Sequence, residues 1–133
     1  MDYATFEEST FPVVTVTFTG VKSTDENFRA YLNRIRTIYD QQTPFLLIFD
    51  ATNASLPGLR HQMMQANWLK ENNDLITQYC LGTVYIISNG LVRGILRSIF
   101  ALQKQPCPYT IVESRQDAAD FINTKLLNLN HFS

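Results

Sequence analysis

The chain has 133 residues, 45% of them hydrophobic and 17% charged, which is enough to bury one core without metals or disulfides. This balance is typical of a globular domain and excludes a disordered chain. The 11 basic and 12 acidic residues leave a formal net charge of -1, so the overall charge does not favour nucleic acid or an anionic membrane as a partner. We therefore expect one domain that binds no nucleic acid.

The N-terminal segment MDYATFEEST has neither the basic nor the apolar region of a signal peptide. No apolar run approaches the ~18 residues that are needed to span a bilayer. Cys80 and Cys107 are far apart in sequence and form no CxxC motif, which favours reduced core thiols over a disulfide. These features predict a cytoplasmic protein without a transmembrane segment.

Hydrophobic periodicity divides the first part of the chain into two strands, a helix and a third strand. A weak strand at 3–7 is predicted to form a hairpin with 13–19, where valine and phenylalanine alternate with threonine. Ser23 and Glu26 have the spacing of a capping box and precede an amphipathic helix. The run FLLIF at 45–49 has no polar member, as expected of a central strand that is buried on both faces.

The second half of the chain alternates between helices and strands. A second helix, with a connector at 75–80, is followed by a buried strand at 83–87 and a third helix. A short strand at 109–112 and a fourth helix complete the core of about 3–127, and 128–133 is predicted to be a frayed tail. The order β-β-α-β-α-β-α-β-α predicts an α/β domain with a mixed, mostly parallel five-stranded sheet and about four helices.

Two faces of the second predicted helix, which starts near Pro57-Gly58, compete for the core. One stripe of apolar residues has the spacing of a buried face: Leu59, Met63, Ala66 and Leu69. The neighbouring row consists of Arg60, Met64 and Trp68, which are residue types enriched at the centres of interfaces. An exposed row would form a docking strip, whereas a rotated helix would place Met64 and Trp68 in the core.

The loop from Asp50 to Gly58 follows the carboxyl end of the central strand, where open α/β sheets usually meet ligands and partners. Asp50 is a candidate to hold a ligand, but we favour an Asx turn that stops the strand. Thr52, Asn53 and Ser55 precede a helix N-terminus, where a phosphoryl group would find free amides. Loop polarity and helix capping explain the same three residues.

Sequence motifs for several common chemistries are absent. No segment matches the phosphate loop GxxxxGKS/T, the dinucleotide motif GxGxxG or the nucleophile elbow GxSxG. His61 and His131 are far apart, and a Ser/His/Asp triad would have to use His61 without a marked nucleophile. We therefore expect no enzyme activity, no metal and no cofactor. Arg93 and Arg97, spaced i,i+4, form either an anion patch or a solvated helix face.

From residue 13 to residue 122 the chain resembles the SpoIIAA-like, or STAS-like, domains. The resemblance rests on four segments: VVTVTFTG, FLLIFDAT, LGTVYIIS and YTIVESRQDAADFI. It implies a sheet flanked by helices and no enzyme activity. In the anti-sigma-factor antagonists of this family, a serine in a sequence like DSSGL is phosphorylated by a kinase partner. Here SLPGL stands at 55–59, so Leu56 and Pro57 occupy the positions of the paired serines and carry no hydroxyl.

These observations predict a non-catalytic regulatory or interaction domain that binds a protein partner through the loop Asp50–Gly58 and the Arg60-Met64-Trp68 row. Homodimerisation is a further candidate assembly, and phosphorylation of Ser55 or Thr52 is a third hypothesis. The alternative is a small-molecule or lipid-binding module with an apolar pocket between the second and third predicted helices. Its lining would be Met63, Met64, Ile95, Ile99 and Phe100.

Overall fold

The computed structural model describes the backbone of residues 1–102 and 104–132 and the side chains of residues 1–101 and 104–125. The strands are β1 Ala4–Glu7, β2 Val13–Phe18, β3 Phe45–Asp50, β4 Cys80–Ile86 and β5 Tyr109–Val112. The helices are α1 Asp25–Ile38, α2 Leu59–Glu71, α3 Asn73–Tyr79, α4 Gly90–Leu102 and α5 Arg115–Phe132, with a short 3-10 turn at Tyr39–Gln41.

The five strands form one sheet in the order β1-β2-β3-β4-β5. β1 is antiparallel to β2, while β2, β3, β4 and β5 run parallel to one another, so the predicted mixed, mostly parallel sheet is confirmed. Because each parallel strand is added beside the previous one, right-handed crossovers place all the connecting helices on one face of the sheet. Only the last helix, α5, is left to cover the other face.

The side chains of β3 alternate between two hydrophobic cores, one on each face of the sheet. Phe45, Leu47 and Phe49 pack into the larger core with α1, α2, α3 and α4. Leu46 and Ile48 pack into the smaller core beneath α5. The central strand is therefore buried on both faces, as its unbroken apolar run predicts.

The strand order removes one reason for placing a ligand at the carboxyl edge of the sheet. Crevices for ligands form in open α/β sheets where the strand order reverses, so that neighbouring loops diverge to opposite faces. Here the order follows the chain without a reversal. Any site at this edge must therefore be formed by its own side chains rather than by a topological crevice.

The structure selects one of the two orientations that the sequence left open for α2. Two of the four residues of the predicted apolar stripe are buried, but Leu59 and Met63 are 70% and 42% exposed. Met64 and Trp68 are instead half-buried against the larger core, which is the rotated arrangement. His61 determines this rotation, because its buried ring stacks on Phe28 of α1 at a centroid distance of 5.2 Å.

Three element boundaries also differ from the predicted ones. The connector at 75–80 is largely the helix α3, so the structure has five α-helices among its described residues rather than about four. The capping box at the start of α1 is formed by Thr24 and Asn27, since the hydroxyl of Ser23 is bonded to His61. Most of the predicted tail at 128–133 continues α5 as far as Phe132. No helix within the described residues is long and apolar enough to cross a bilayer.

Candidate functional site

The carboxylate of Asp50 is fully engaged within the protein. Its Oδ1 accepts hydrogen bonds from the Thr52 amide at 3.0 Å and the Thr52 hydroxyl at 2.6 Å, and its Oδ2 lies 2.6 Å from Nη2 of Arg115. Burial would raise the pKa of Asp50, but the hydrogen bonds from Thr52 and the charge of Arg115 outweigh it and lower the pKa below its usual value. The geometry is that of an Asx turn tied to α5.

The loop hydroxyls are engaged as well. The Ser55 hydroxyl donates to the carbonyl of Val21 at 2.8 Å, and the Thr52 hydroxyl is the one bonded to Asp50. Asn53 is exposed, and its backbone carbonyl lies against Gly20. A phosphoryl group on Ser55 or Thr52 would have to break these hydrogen bonds. The two hydroxyls that were candidate phosphorylation sites therefore help to fix the conformation of the loop.

The starts of α1 and α2 are joined by four polar side chains, Ser23, Asp25, Arg60 and His61, which we call the His61 cluster. Nδ1 of His61 is 2.7 Å from the Ser23 hydroxyl, and Nε2 is 2.9 Å from Oδ1 of Asp25. Arg60 donates to both oxygens of Asp25, each at 2.9 Å. The hydrogen bonds from Arg60 and His61 lower the pKa of Asp25 to about 2.

Ser23, His61 and Asp25 are linked in the residue order of a hydrolase triad, although no sequence motif marks Ser23. The ring nitrogens are exchanged, since the serine of such a triad bonds to Nε2 of the histidine and the acid to Nδ1. Because Asp25 can only accept, the Nε2–H of His61 donates to it, and in the neutral imidazole Nδ1 then accepts from Ser23. The surroundings differ from those of a catalytic site. The Asp25 side chain is 47% exposed and is also bonded to Arg60. Neither Ser23 nor His61 lines the cavity between the sheet and the helices of the larger core, which is described below. The cluster connects two helices.

The two arginines of the candidate anion patch, Arg93 and Arg97, have different surroundings. Arg93 is half-buried and directs its Nη2 towards the carbonyl of Ile87 at 3.4 Å and the carboxylate of Glu113 at 4.0 Å. Arg97 is exposed on the next turn of α4. Since Arg93 turns to its own chain, the two guanidinium groups do not present one cationic surface.

Exposed apolar side chains gather at the carboxyl edge of the sheet. Among the described side chains, the large hydrophobic ones with strong exposure include Leu56 at 46%, Leu59 at 70%, Met63 at 42% and Leu91 at 69%. The first three lie in the loop after β3 and on the first two turns of α2, and Leu91 lies on the first turn of α4. Because β3 and β4 are parallel neighbours, both helices start at the same edge. We call these four residues the carboxyl-edge surface.

A cavity of about 110 Å³ lies between the sheet and the helices of the larger core. Its half-exposed lining residues include Ala54, Pro57 and Val92 at the carboxyl edge, and its buried ones include Tyr39 and Ile76 at the far end. The cavity is therefore lined in part by residues that lie beside the carboxyl-edge surface. Usual ligand pockets have ~300–1,000 Å³, while an engineered cavity of ~150 Å³ binds benzene.

Part of the predicted pocket coincides with this cavity. Ile95, Ile99 and Phe100 of α4 line it, as the sequence predicts. Met63 and Met64 are absent from the lining, because the rotation of α2 exposes the first and turns the second against the core. Among the described side chains, no group of three or more His, Cys, Asp or Glu residues is placed to hold a metal ion, and the side chain of His131 lies outside the described residues.

Comparisons with models of known protein families, with curated proteins and with solved structures give no match. The resemblance to SpoIIAA-like domains therefore stays a prediction from the sequence segments. What the structure establishes is the coarser class, an α/β domain with a mixed, mostly parallel five-stranded sheet.

Proposed function

We propose that this chain is a non-catalytic interaction domain that binds a protein partner through the carboxyl-edge surface. The observation that supports it is the exposure of Leu56, Leu59, Met63 and Leu91 at one edge of the sheet. Large apolar side chains gathered on a surface are typical of binding sites, since water contact with them is unfavourable. This surface replaces the Arg60-Met64-Trp68 row, whose apolar members pack inward.

The surroundings of this surface suit a protein interface. Interfaces commonly have an apolar centre and a polar, solvated rim. Thr52, Asn53 and Arg60 are exposed beside the apolar side chains and would form that rim. The side chain of Arg60 is 71% exposed while it pairs with Asp25, so its charge remains accessible. A matching partner would present an apolar helix or strand face with acidic residues at its border.

The test is affinity purification of the full chain from the cells that produce it. We expect the double variant Leu59→Ser/Met63→Ser to bind its partner about tenfold more weakly or worse, since each apolar anchor buried in an interface contributes about 1 kcal/mol or more to the binding free energy. Tyr109→Thr is the matched control, because Tyr109 is 45% exposed but starts β5 at the opposite edge of the sheet. The double variant must unfold at the same temperature as the unmodified chain, so that a loss of binding is not a loss of folding. Equal recovery of the partner by all three proteins would refute the proposed surface.

The proposal that the domain is not an enzyme has its own test, because Ser23, His61 and Asp25 are linked in the residue order of a hydrolase triad. An aryl fluorophosphonate reacts with serines that a neighbouring base activates. We expect Ser23 to remain unlabelled, as the His61 cluster holds two helices together. Labelling of Ser23 that disappears in a His61→Ala variant would show that the domain is an enzyme.

The cavity supports a second candidate function, the binding of a small, uncharged and mostly apolar molecule. Its volume of about 110 Å³ suits a single ring or a short chain rather than a whole lipid. Saturation with benzene or indole at about 100 times Kd should then stabilise the protein by about 2.7 kcal/mol. Ile95→Trp should abolish this shift, because Ile95 lines the cavity and the larger side chain fills it. No shift with the unmodified protein would dispose of this candidate.

A further inference from the structure

Cys80 and Cys107 are 27 residues apart in sequence, yet their sulfur atoms are 3.4 Å apart. Cys80 begins β4, and Cys107 lies in the loop before β5, which is the parallel neighbour of β4. Both residues are buried and present as free thiols, and both line the cavity. Their separation is within a short side-chain movement of a covalent S–S bond.

The two thiols have unequal surroundings. Gln105 donates a hydrogen bond to the Cys107 sulfur at 3.3 Å, and its amide is fixed in turn by Tyr85 and Thr83. The hydrogen bond with Cys80, reinforced by Gln105, outweighs burial and lowers the pKa of Cys107 to about 7. The same hydrogen bond, together with burial, raises the pKa of Cys80. Cys107 is therefore the more easily ionised thiol of the pair, and Cys80 is the thiol that holds its proton more strongly.

The pair borders internal space. Cys80 and Cys107 both line the cavity of about 110 Å³, which is large enough for molecules of the size of water. Thiolates are the nucleophilic form of cysteine, and a second thiol beside the oxidised one resolves it to a disulfide. A nucleophilic thiol, a second thiol that can resolve it and an adjoining cavity thus occur together.

We propose that Cys107 and Cys80 form an oxidation site that takes a hydroperoxide and closes to an intramolecular disulfide. With hydrogen peroxide, the Cys107 thiolate attacks one oxygen, the O–O bond breaks, and Cys107 becomes a sulfenic acid while hydroxide leaves and is protonated to water. The Cys80 sulfur then attacks the Cys107 sulfur, the S–O bond breaks, and a second water leaves with the Cys80 proton. Two thiols and one peroxide give one disulfide and two waters, and a dithiol reverses the reaction.

The disulfide would alter the far end of the cavity. It removes the Cys107 sulfur from the amide of Gln105, which also holds Thr83 and Tyr85. The shape of the cavity would then depend on the oxidation state of the two cysteines. The oxidation itself is independent of the proposed protein partner and of any cavity ligand.

The experiment treats the folded 133-residue chain with hydrogen peroxide and follows its intact mass. We expect the loss of two hydrogen atoms, protection of both cysteines from alkylation after the treated chain is denatured, one peptide pair linking Cys80 to Cys107, and full reversal by dithiothreitol. Quantitative alkylation of both thiols after the treatment, or a disulfide that joins two chains, would overturn the proposal.

Two single variants test the separate roles of the thiols. In Cys80→Ser the sulfenic acid on Cys107 has no resolving partner, so dimedone should trap it. Cys107→Ser should label at least about tenfold less, because burial still raises the pKa of the remaining Cys80. Similar labelling of the two variants would contradict the roles assigned here. Circular dichroism establishes that each variant is folded, and the result with the unmodified chain stands if one of them is not.

Discussion

Replacing Asp50 by asparagine keeps the size of the side chain and removes the charge that holds the loop after β3. A hydrogen bond to a charged group contributes about 1.5–3 kcal/mol and a neutral one about 0.5–1.5 kcal/mol. The two bonds from Thr52 should therefore lose about 1 kcal/mol each. The side chain of Arg115 is 69% exposed, so the lost ion pair adds about 1 kcal/mol at most. We expect Asp50→Asn to lower the free energy of unfolding by about 2–3 kcal/mol.

Urea denaturation followed by the fluorescence of Trp68, the single tryptophan, measures this change. With an m-value of about 2 kcal/mol/M, the midpoint should fall by about 1–1.5 M. Arg115→Gln is the matched control, since it removes only the ion pair and should cost less than about 1 kcal/mol. A change within about 0.5 kcal/mol for Asp50→Asn would refute the reasoning. A gain in stability would instead mark Asp50 as a strained functional group.

Three further predictions follow from the backbone, the rotation of α2 and the His61 cluster. Gly20 has a φ of 87°, and a Cβ there would lie 2.8 Å from a carbonyl oxygen, so Gly20→Ala should cost about 1–3 kcal/mol in thermal unfolding. Gly94→Ala is its control, because a Cβ there meets open space, and it should gain about 0.5–1 kcal/mol. Met64→Ala should cost about 1–3 kcal/mol because Met64 packs on the core, while exposed Met63→Ala should change stability by less than about 0.5 kcal/mol; equal losses in urea titrations would contradict the rotation of α2. The pKa of Asp25 is lowered to about 2, below its unfolded value of about 3.9, so its contribution is complete above about pH 5 and is lost as the pH falls through 4 towards 2. Asp25→Asn should flatten that part of an acid-unfolding curve, and an unchanged curve would show that the cluster does not stabilise the fold.

Patterns between close neighbours in the sequence were sufficient to predict the sheet. The apolar run Phe45–Phe49 and the alternation in 13–19 depend only on which residues repeat at a period of one or two. The order of the strands was not predicted, because the crossover rule fixes the hand of each connection and not which strands are neighbours. The Asx turn at Asp50 is equally local, since Thr52 is two residues away.

The rotation of α2 was beyond such patterns, because both of its candidate faces carry large apolar residues. His61 decides between them through Ser23 and Asp25, which lie 38 and 36 residues away in the chain. The sequence also suggested a ligand crevice at the carboxyl edge, and the unreversed strand order removes it. The carboxyl-edge surface follows from the rotation, as Leu59 and Met63 are exposed only in that orientation.

The sequence by itself thus determined the α/β class, the central strand and the turn that ends it, because those depend on residues a few positions apart. The tertiary structure alone decided which face of α2 meets the core, which guanidinium pairs with Asp50 and that Cys80 lies beside Cys107. Each of these joins segments that are distant in the chain, and such contacts exist only when the helices are packed on the sheet.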